Sequence, residues 1–201
     1  MPRPLLALAL LAFFYGVTFG LQTWRHRRAT GSSGFVGVSG RPGSAAWTGG
    51  VLFVLGVALG LLAALGEWLG WIEPIVSPPT WVIALGVVVT SVGIVGTAAA
   101  QVSMGRSWRI GVRDGERTDL VTDGPFAVVR NPIFSCVLTV AAGLVLLLTD
   151  LAALTGFTAL LVAVELQVRV VEEPHLLRVH GEAYRRYAGR VGRFVPGFGR
   201  I

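Results

Sequence analysis

Ile133-Phe134-Ser135-Cys136-Val137-Leu138-Thr139-Val140-Ala141-Ala142-Gly143-Leu144-Val145-Leu146-Leu147-Leu148, the pair Thr149-Asp150 and the second apolar run from Leu151 to Val171 decide the fold. Each run is long and uncharged enough to cross most of a ~30 Å hydrocarbon layer. Backbone in lipid must satisfy its own hydrogen bonds, so each run reads as a helix and the two-residue break as a tight turn between antiparallel helices. Composition agrees. Mean hydropathy is +0.69, 53% of the residues are hydrophobic and only 14% are charged, values of a membrane protein and not of a soluble domain.

Three further runs precede this hairpin: Pro4 to Leu21, Ala46 to Leu65 and Thr80 to Val102. The expected fold is all-α and polytopic, with five transmembrane helices, a cytoplasmic loop from Met104 to Phe134 and a C-terminal amphipathic helix. Residues 1–103 form an N-terminal three-helix region, and residues 104–201 hold the loop, the hairpin and the C-terminal helix. The first run reads as a retained helix in preference to a cleaved signal peptide, because no small-residue cleavage site precedes Trp24-Arg25-His26-Arg27-Arg28. Gly16 with Gly20, and Gly56 with Gly60, are small-xxx-small pairs that invite a close helix neighbour.

Every one of the 17 basic residues is arginine. With five spans, all but Arg3 fall on the side of the first loop, the third loop and the tail, while Glu67, Glu73 and Asp150 lie opposite. The positive side is cytoplasmic, which sets the N-terminus outside and the C-terminus inside. The membrane thus explains the charge of +6 without nucleic acid. Cys136 stands alone, which excludes a disulfide and a Cys/His metal site. Gly31, Gly34, Gly37 and Gly40 recur in a Ser-rich loop, but without the strand and helix start that a nucleotide-binding glycine loop requires. Oligomeric state is not readable from the sequence.

The polar stretch Leu120-Val121-Thr122-Asp123-Gly124-Pro125-Phe126-Ala127-Val128-Val129-Arg130-Asn131-Pro132-Ile133-Phe134 stands out against this background. Gly124-Pro125 marks a turn, and Asn131-Pro132 sets an N-cap before a proline at the first helical position. A helix start beside a turn-rich loop can cradle an anionic or polar ligand at the membrane surface. Glu165, Arg169, Glu172 and Glu173 share a face of the last apolar helix, where ionisable groups are costly and usually serve a bundle interior or a watery cavity. Tyr184 and Tyr187 share a face further on and read as an interfacial aromatic belt, and Trp108 as an interfacial anchor of the loop.

Two blocks together resemble the isoprenylcysteine carboxyl methyltransferase-like membrane enzymes. One is Leu120 to Phe126 with Arg130-Asn131-Pro132-Ile133-Phe134, similar to that family's LVT-x-G-x-Y … R-H-P-x-Y. The other is Glu172-Glu173-Pro174-His175-Leu176 with Gly181-Glu182-Ala183-Tyr184-Arg185-Arg186-Tyr187 and Pro196, similar to its E-E-x-x-L … F-G-x-x-Y-x-x-Y … P ending. The resemblance covers about Gln101 to Pro196. It implies an S-adenosylmethionine-dependent methyltransferase with a cytoplasmic-side pocket. Its cofactor contacts fall on Thr118, Asp119, Leu120, Val121, Phe126, Asn131, Pro132, Ile133, Phe134 and Glu172, its catalytic groups on Glu173 and Arg130, and its substrate-binding arginine on Arg169. Arg169 stands three residues before Glu172 where four are expected, which turns it by ~100° on a helix. Asn131 replaces the usual histidine, Phe126 and Phe134 replace tyrosines, and His180 replaces a phenylalanine.

The acceptor implied is lipophilic or prenylated and reaches the site from the membrane lipids, with no metal required. Methyl transfer of this kind depends on positioning and electrostatics, with the paired glutamates near the cofactor's charge and the arginines orienting an acceptor. Two other readings accommodate the same residues: an NADPH-dependent membrane reductase of the sterol-reductase type, and a membrane scaffold or lipid-binding protein without catalysis.

Overall fold

The computed structural model describes residues 2–34, 37–38, 40–108 and 119–201. Helix α1 runs Arg3–Thr30, α2 Ala45–Trp68, α3 Thr80–Met104, α4 Pro132–Leu148, α5 Leu151–His180 and α6 Glu182–Arg190. Short 3-10 turns occupy Gly105–Ser107 and Gly124–Ala127. Among the described residues, extended pairing is limited to the isolated bridge Val129↔Gly192.

Four helices (α1, α2, α3 and α5) are long and apolar enough to cross a membrane. Helix α4 has 17 residues, about 25 Å at ~1.5 Å per residue, which falls short of a full ~30 Å layer. The five expected spans therefore appear as four of spanning length and one shorter helix. The expected turn is as read: α4 ends with Thr149 in the left-handed region (φ 53°), and Asp150 caps α5 by accepting from the Ala153 amide at 2.8 Å.

Helix α3 packs along α4, α2 along α5, and α1 lies across α2 and α4. In lipid, helices associate through close packing and not through a hydrophobic drive, so small residues set the interfaces. A Cβ on Gly56 would stand 2.6 Å from Leu160 Cγ and 2.8 Å from the Gly156 carbonyl. A Cβ on Gly143 would stand 2.6 Å from the Thr90 amide nitrogen and 2.8 Å from the Gly86 carbonyl. Both clashes involve backbone, which no rotamer change relieves. Gly143→Ala is therefore expected to cost about 1–3 kcal/mol through overpacking, read as a lower melting temperature in detergent. Gly60→Ala, with nothing within 4 Å of its Cβ, should leave it unchanged.

Gly16 and Gly20 do not make the close contact their spacing suggests. No neighbouring helix stands within 4 Å of either Cβ position. They lie instead in a π-helical turn, Gly16–Leu21, inside α1.

Ala7, Leu11, Phe14, Ala63, Ala64, Ile94, Leu144, Leu147 and Leu148 form the core. At that end Arg3 donates to Glu67 at 2.8 Å, and Thr149 ties the α2–α3 connection by donating to the Val76 carbonyl at 2.7 Å. Val54, Val88, Val92 and Val95 point outward, as lipid-facing side chains do. Towards the other end the bundle opens.

Candidate functional site

The open end holds a cavity of about 540 Å³, within the usual size of small-molecule sites. Asp119, Leu120 and Val121 line it from the loop, Phe126 from the 3-10 turn, and Asn131, Pro132, Ile133 and Phe134 from the start of α4. Glu172 lines it from α5, and Arg130 also borders it. These are the cofactor contacts expected from the sequence; Thr118 lies outside the described residues.

The loop is fixed by the tail. The Arg130 amide donates to the Gly192 carbonyl at 2.8 Å and the Asn131 amide to the Arg193 carbonyl at 3.1 Å. Asn131 Nδ2 reaches the same Arg193 carbonyl at 3.2 Å, and Ser135 Oγ donates to the Phe194 carbonyl at 2.8 Å. Asn131 does hold the N-cap position of α4, but its side chain makes no cap bond there and joins the tail instead. Pro132 takes the first helical position as its fixed φ favours. Tyr187 Oη donates to the Phe126 carbonyl at 2.7 Å across a buried interface. Tyr187→Phe should strand that carbonyl and cost about 1–3 kcal/mol, seen as a melting-temperature drop without loss of helical circular dichroism.

Beneath the loop lies a buried ion cluster. Glu173 Oε1 accepts from Arg130 Nη2 at 2.5 Å and from Arg193 Nε at 2.9 Å, and its Oε2 accepts from Arg193 Nη2 at 2.8 Å. Arg130 spends its remaining Nη protons on the carbonyls of Ala188, Val191 and Gly199. Both groups expected to act in catalysis, Arg130 and Glu173, thus face each other and the tail. The Glu173 carboxylate raises the Arg193 guanidinium further above its ordinary range. Burial, and then the nearby Glu173, push the Tyr184 phenol up to about 12, so it stays protonated at neutral pH.

A family model described as phospholipid methyltransferase matches residues 81–183, half of the chain: nearly all of α3, then the loop, α4, α5 and the start of α6. The chain belongs to that family. The phospholipid methyltransferases are part of the isoprenylcysteine carboxyl methyltransferase-like membrane enzymes, and the chain is an integral membrane protein of this methyltransferase class. It is also 30% identical over 118 residues to the nickel-cobalt-cadmium resistance protein NccN of Alcaligenes xylosoxydans xylosoxydans, an alignment covering 58% of this chain and 53% of that protein. The chain therefore spans about half the length of that curated relative.

Against the family pattern, the arginine before the paired glutamates is displaced. Arg169 lies in a π-helical turn, Gln167–Glu172, pairs with Glu165 on the helix exterior and is 57% exposed. It does not line the cavity. The wide turn adds to the offset already visible in the spacing, and both π turns among the described residues sit where their helices border the cavity, through Thr18 and Phe19 in α1 and Gln167 and Glu172 in α5. Such turns inside α-helices are frequent at functional sites. In α1 the Thr18 carbonyl accepts from Gln101 Nε2 at 3.0 Å.

Several residues take a different place from the one their sequence context suggests. Trp108 is 2% exposed and packs edge-on against His26 with ring centroids 5.4 Å apart, under Gly34 of the first loop. It walls the cavity and is not an interfacial anchor. Tyr184 and Tyr187 are likewise buried cavity residues and not an aromatic belt. Gly37 and Val38 bring the glycine loop to the same wall. His175, 5% exposed, lines the cavity one turn after Glu172. The signal for His175 and Tyr184 was helical spacing from Glu172 and Tyr187; for Trp108 it was the block Met104-Gly105-Arg106-Ser107-Trp108, which resembles that family's lead-in to the loop.

Proposed function

We propose that this membrane methyltransferase takes its methyl group from S-adenosylmethionine and passes it to a lipophilic acceptor. One observation carries the reading: a single cavity joins a polar, aromatic end to an apolar one. At the first end stand Asp119, Glu172, Trp108, Phe126 and Phe134; at the other, Phe14, Phe53 and Val57 from α1 and α2. A smaller cavity of about 40 Å³ shares Phe14, Phe53 and Val57 and continues between Leu144, Ala153 and Leu160.

The donor set suits the cofactor. Carboxylates of Glu172 and Asp119 can accept hydrogen bonds from its amino and hydroxyl groups, and the aromatic faces suit a flat base and a sulfonium cation. When bound, the cofactor supplies an electrophilic methyl group. Arg130 and Glu173 act as positioning residues that hold the α4 start and the tail together around it. Arginine asymmetry supports a cytoplasmic site, with the N-terminus outside. The acceptor enters from the bilayer between helices. NccN is named for metal resistance; this proposal rests on the family and the cavity.

The reading is tested by incubating proteoliposomes of the purified protein with radiolabelled S-adenosylmethionine and a panel of lipid-tailed acids, thiols and amines. Label extracted into organic solvent supports it. Label that stays aqueous with every acceptor, under conditions where the protein is folded, overturns it.

A further inference from the structure

The C-terminal turn after α6 presents an apolar surface that the bundle leaves uncovered. Phe198 is 74% exposed, and Val195 and Ile201 are exposed as well. The turn is nonetheless well fixed: the Phe198 amide donates to the Val195 carbonyl at 3.1 Å, the Arg193 amide to the Phe198 carbonyl at 2.7 Å and the Ile201 amide to the Ala188 carbonyl at 3.2 Å. Its depth is set by α4. Ser135, in the first turn of that apolar helix, donates to the Phe194 carbonyl at 2.8 Å, so the turn stands at the level where α4 enters the hydrocarbon layer. Arginines surround it. Helix α6 packs Tyr184, Tyr187 and Ala188 against the protein and leaves Arg185, Arg186 and Arg190 exposed. A Cβ on Gly197 would stand 3.5 Å from Arg200 Nη2, which places that guanidinium beside the apolar turn. From Glu182 to Ile201 the one acidic side chain is Glu182, and it pairs with Arg185 at 2.7 Å. Arg186, Arg190 and Arg200 form no ion pair among the described residues.

We propose that this turn and the outer face of α6 form a docking surface for an anionic phospholipid leaflet. Val195, Phe198 and Ile201 enter the boundary between headgroups and acyl chains, and Arg186, Arg190 and Arg200 hold the phosphodiesters. Apolar side chains at that depth and cationic groups beside them add to one interfacial contact, and a guanidinium fork matches phosphate oxygens. A soluble acidic protein would suit the arginines but not an apolar turn held level with the end of α4, so the position favours lipid. The contact reaches the ion cluster through the backbone. Arg130 Nη2 donates to the Gly199 carbonyl at 3.0 Å, and Arg193, which holds Glu173, is tied by its amide to Phe198. Lipid that pins the turn therefore also steadies the arginines beneath the loop. None of this depends on what the cavity binds.

The test places the full-length protein in nanodiscs of phosphatidylcholine, alone or mixed with phosphatidylglycerol, and follows amide hydrogen exchange of the C-terminal turn by mass spectrometry. In wild type, phosphatidylglycerol should slow that exchange by about 100-fold, which is roughly fivefold for each of the three arginines, and added salt should reverse the slowing. The triple variant Arg186→Gln, Arg190→Gln, Arg200→Gln should exchange alike in both discs, and Phe198→Ser should lose most of the protection that phosphatidylglycerol gives. Should the triple variant fail to fold, Arg200→Gln alone, with an expected loss of about fivefold in protection, decides beside the wild type. Equal exchange of the wild-type turn in both discs overturns the proposal, as does slowing that persists undiminished in the arginine variants. Equal slowing in phosphatidylcholine discs on adding inorganic phosphate or soluble polyglutamate also overturns it, because the partner is then a soluble anion or an acidic chain and not the leaflet.

Discussion

Glu173→Gln is expected to lower the melting temperature of the detergent-solubilised protein by about 6–20 °C. The carboxylate accepts from two buried arginines, with side-chain exposures of 1% for Arg130, 10% for Arg193 and 8% for Glu173 itself. Removing the shared anion leaves two guanidinium groups facing each other without compensation. Breaking a buried pair in this way costs about 3–5 kcal/mol, and about 2–4 °C accompanies each kcal/mol in a chain of this size. The loss should extend to the tail, because Arg130 also holds the Ala188, Val191 and Gly199 carbonyls. Proteolysis at the C-terminus should accelerate in step. A melting temperature within about 2 °C of wild type would show that the cluster does not hold the loop to the tail. Arg169→Ala provides the contrast: its partner Glu165 and its own guanidinium are both substantially exposed, and such pairs contribute little.

The second large effect concerns binding. Glu172→Ala should weaken S-adenosylhomocysteine binding by about 10- to 100-fold, since a hydrogen bond to a charged group is worth about 1.5–3 kcal/mol and each 1.4 kcal/mol is tenfold. Arg169→Ala should leave that affinity unchanged. Equilibrium dialysis with radiolabelled ligand measures both. Neighbours in sequence with opposite fates, Glu172 in the cavity and Glu173 in the ion cluster, make the pair of glutamates separable by experiment: Glu172→Ala acts on affinity with little change in melting, Glu173→Gln mainly on melting.

Much of this was legible in the chain itself, for identifiable reasons. Hydropathy places the long helices, because a continuous apolar run of about 20 residues in lipid satisfies its backbone within itself only as a helix. Thr149-Asp150 reads as a turn because an uncharged run stops and restarts there, and Asp150 then serves as the cap. The cradle from Leu120 to Phe134 announces itself through Gly124-Pro125 and Asn131-Pro132. The partnerships were not legible. Arg130, Glu173 and Arg193 lie far apart in sequence, and an isolated charge pattern does not say whether an arginine faces a ligand or a glutamate. Arg193, with Arg185, Arg186 and Arg190, reads from the sequence as a contact to anionic headgroups, whereas the structure buries it against Glu173. Gly16 and Gly20 matched a packing motif but serve a π turn, a feature that spacing by four cannot distinguish from a close helix crossing. The contributions of Phe14, Thr18, Phe53 and Gln101 to the cavity depend on how α1, α2 and α3 close over the methyltransferase-like half, which no local pattern records.

The central claim is that the cavity is an S-adenosylmethionine site. Isothermal titration of the solubilised wild-type protein with S-adenosylhomocysteine and, separately, with NADPH tests it most directly. The account predicts saturable one-to-one binding of S-adenosylhomocysteine and no heat from NADPH beyond dilution. Saturable NADPH binding with none of S-adenosylhomocysteine would contradict it.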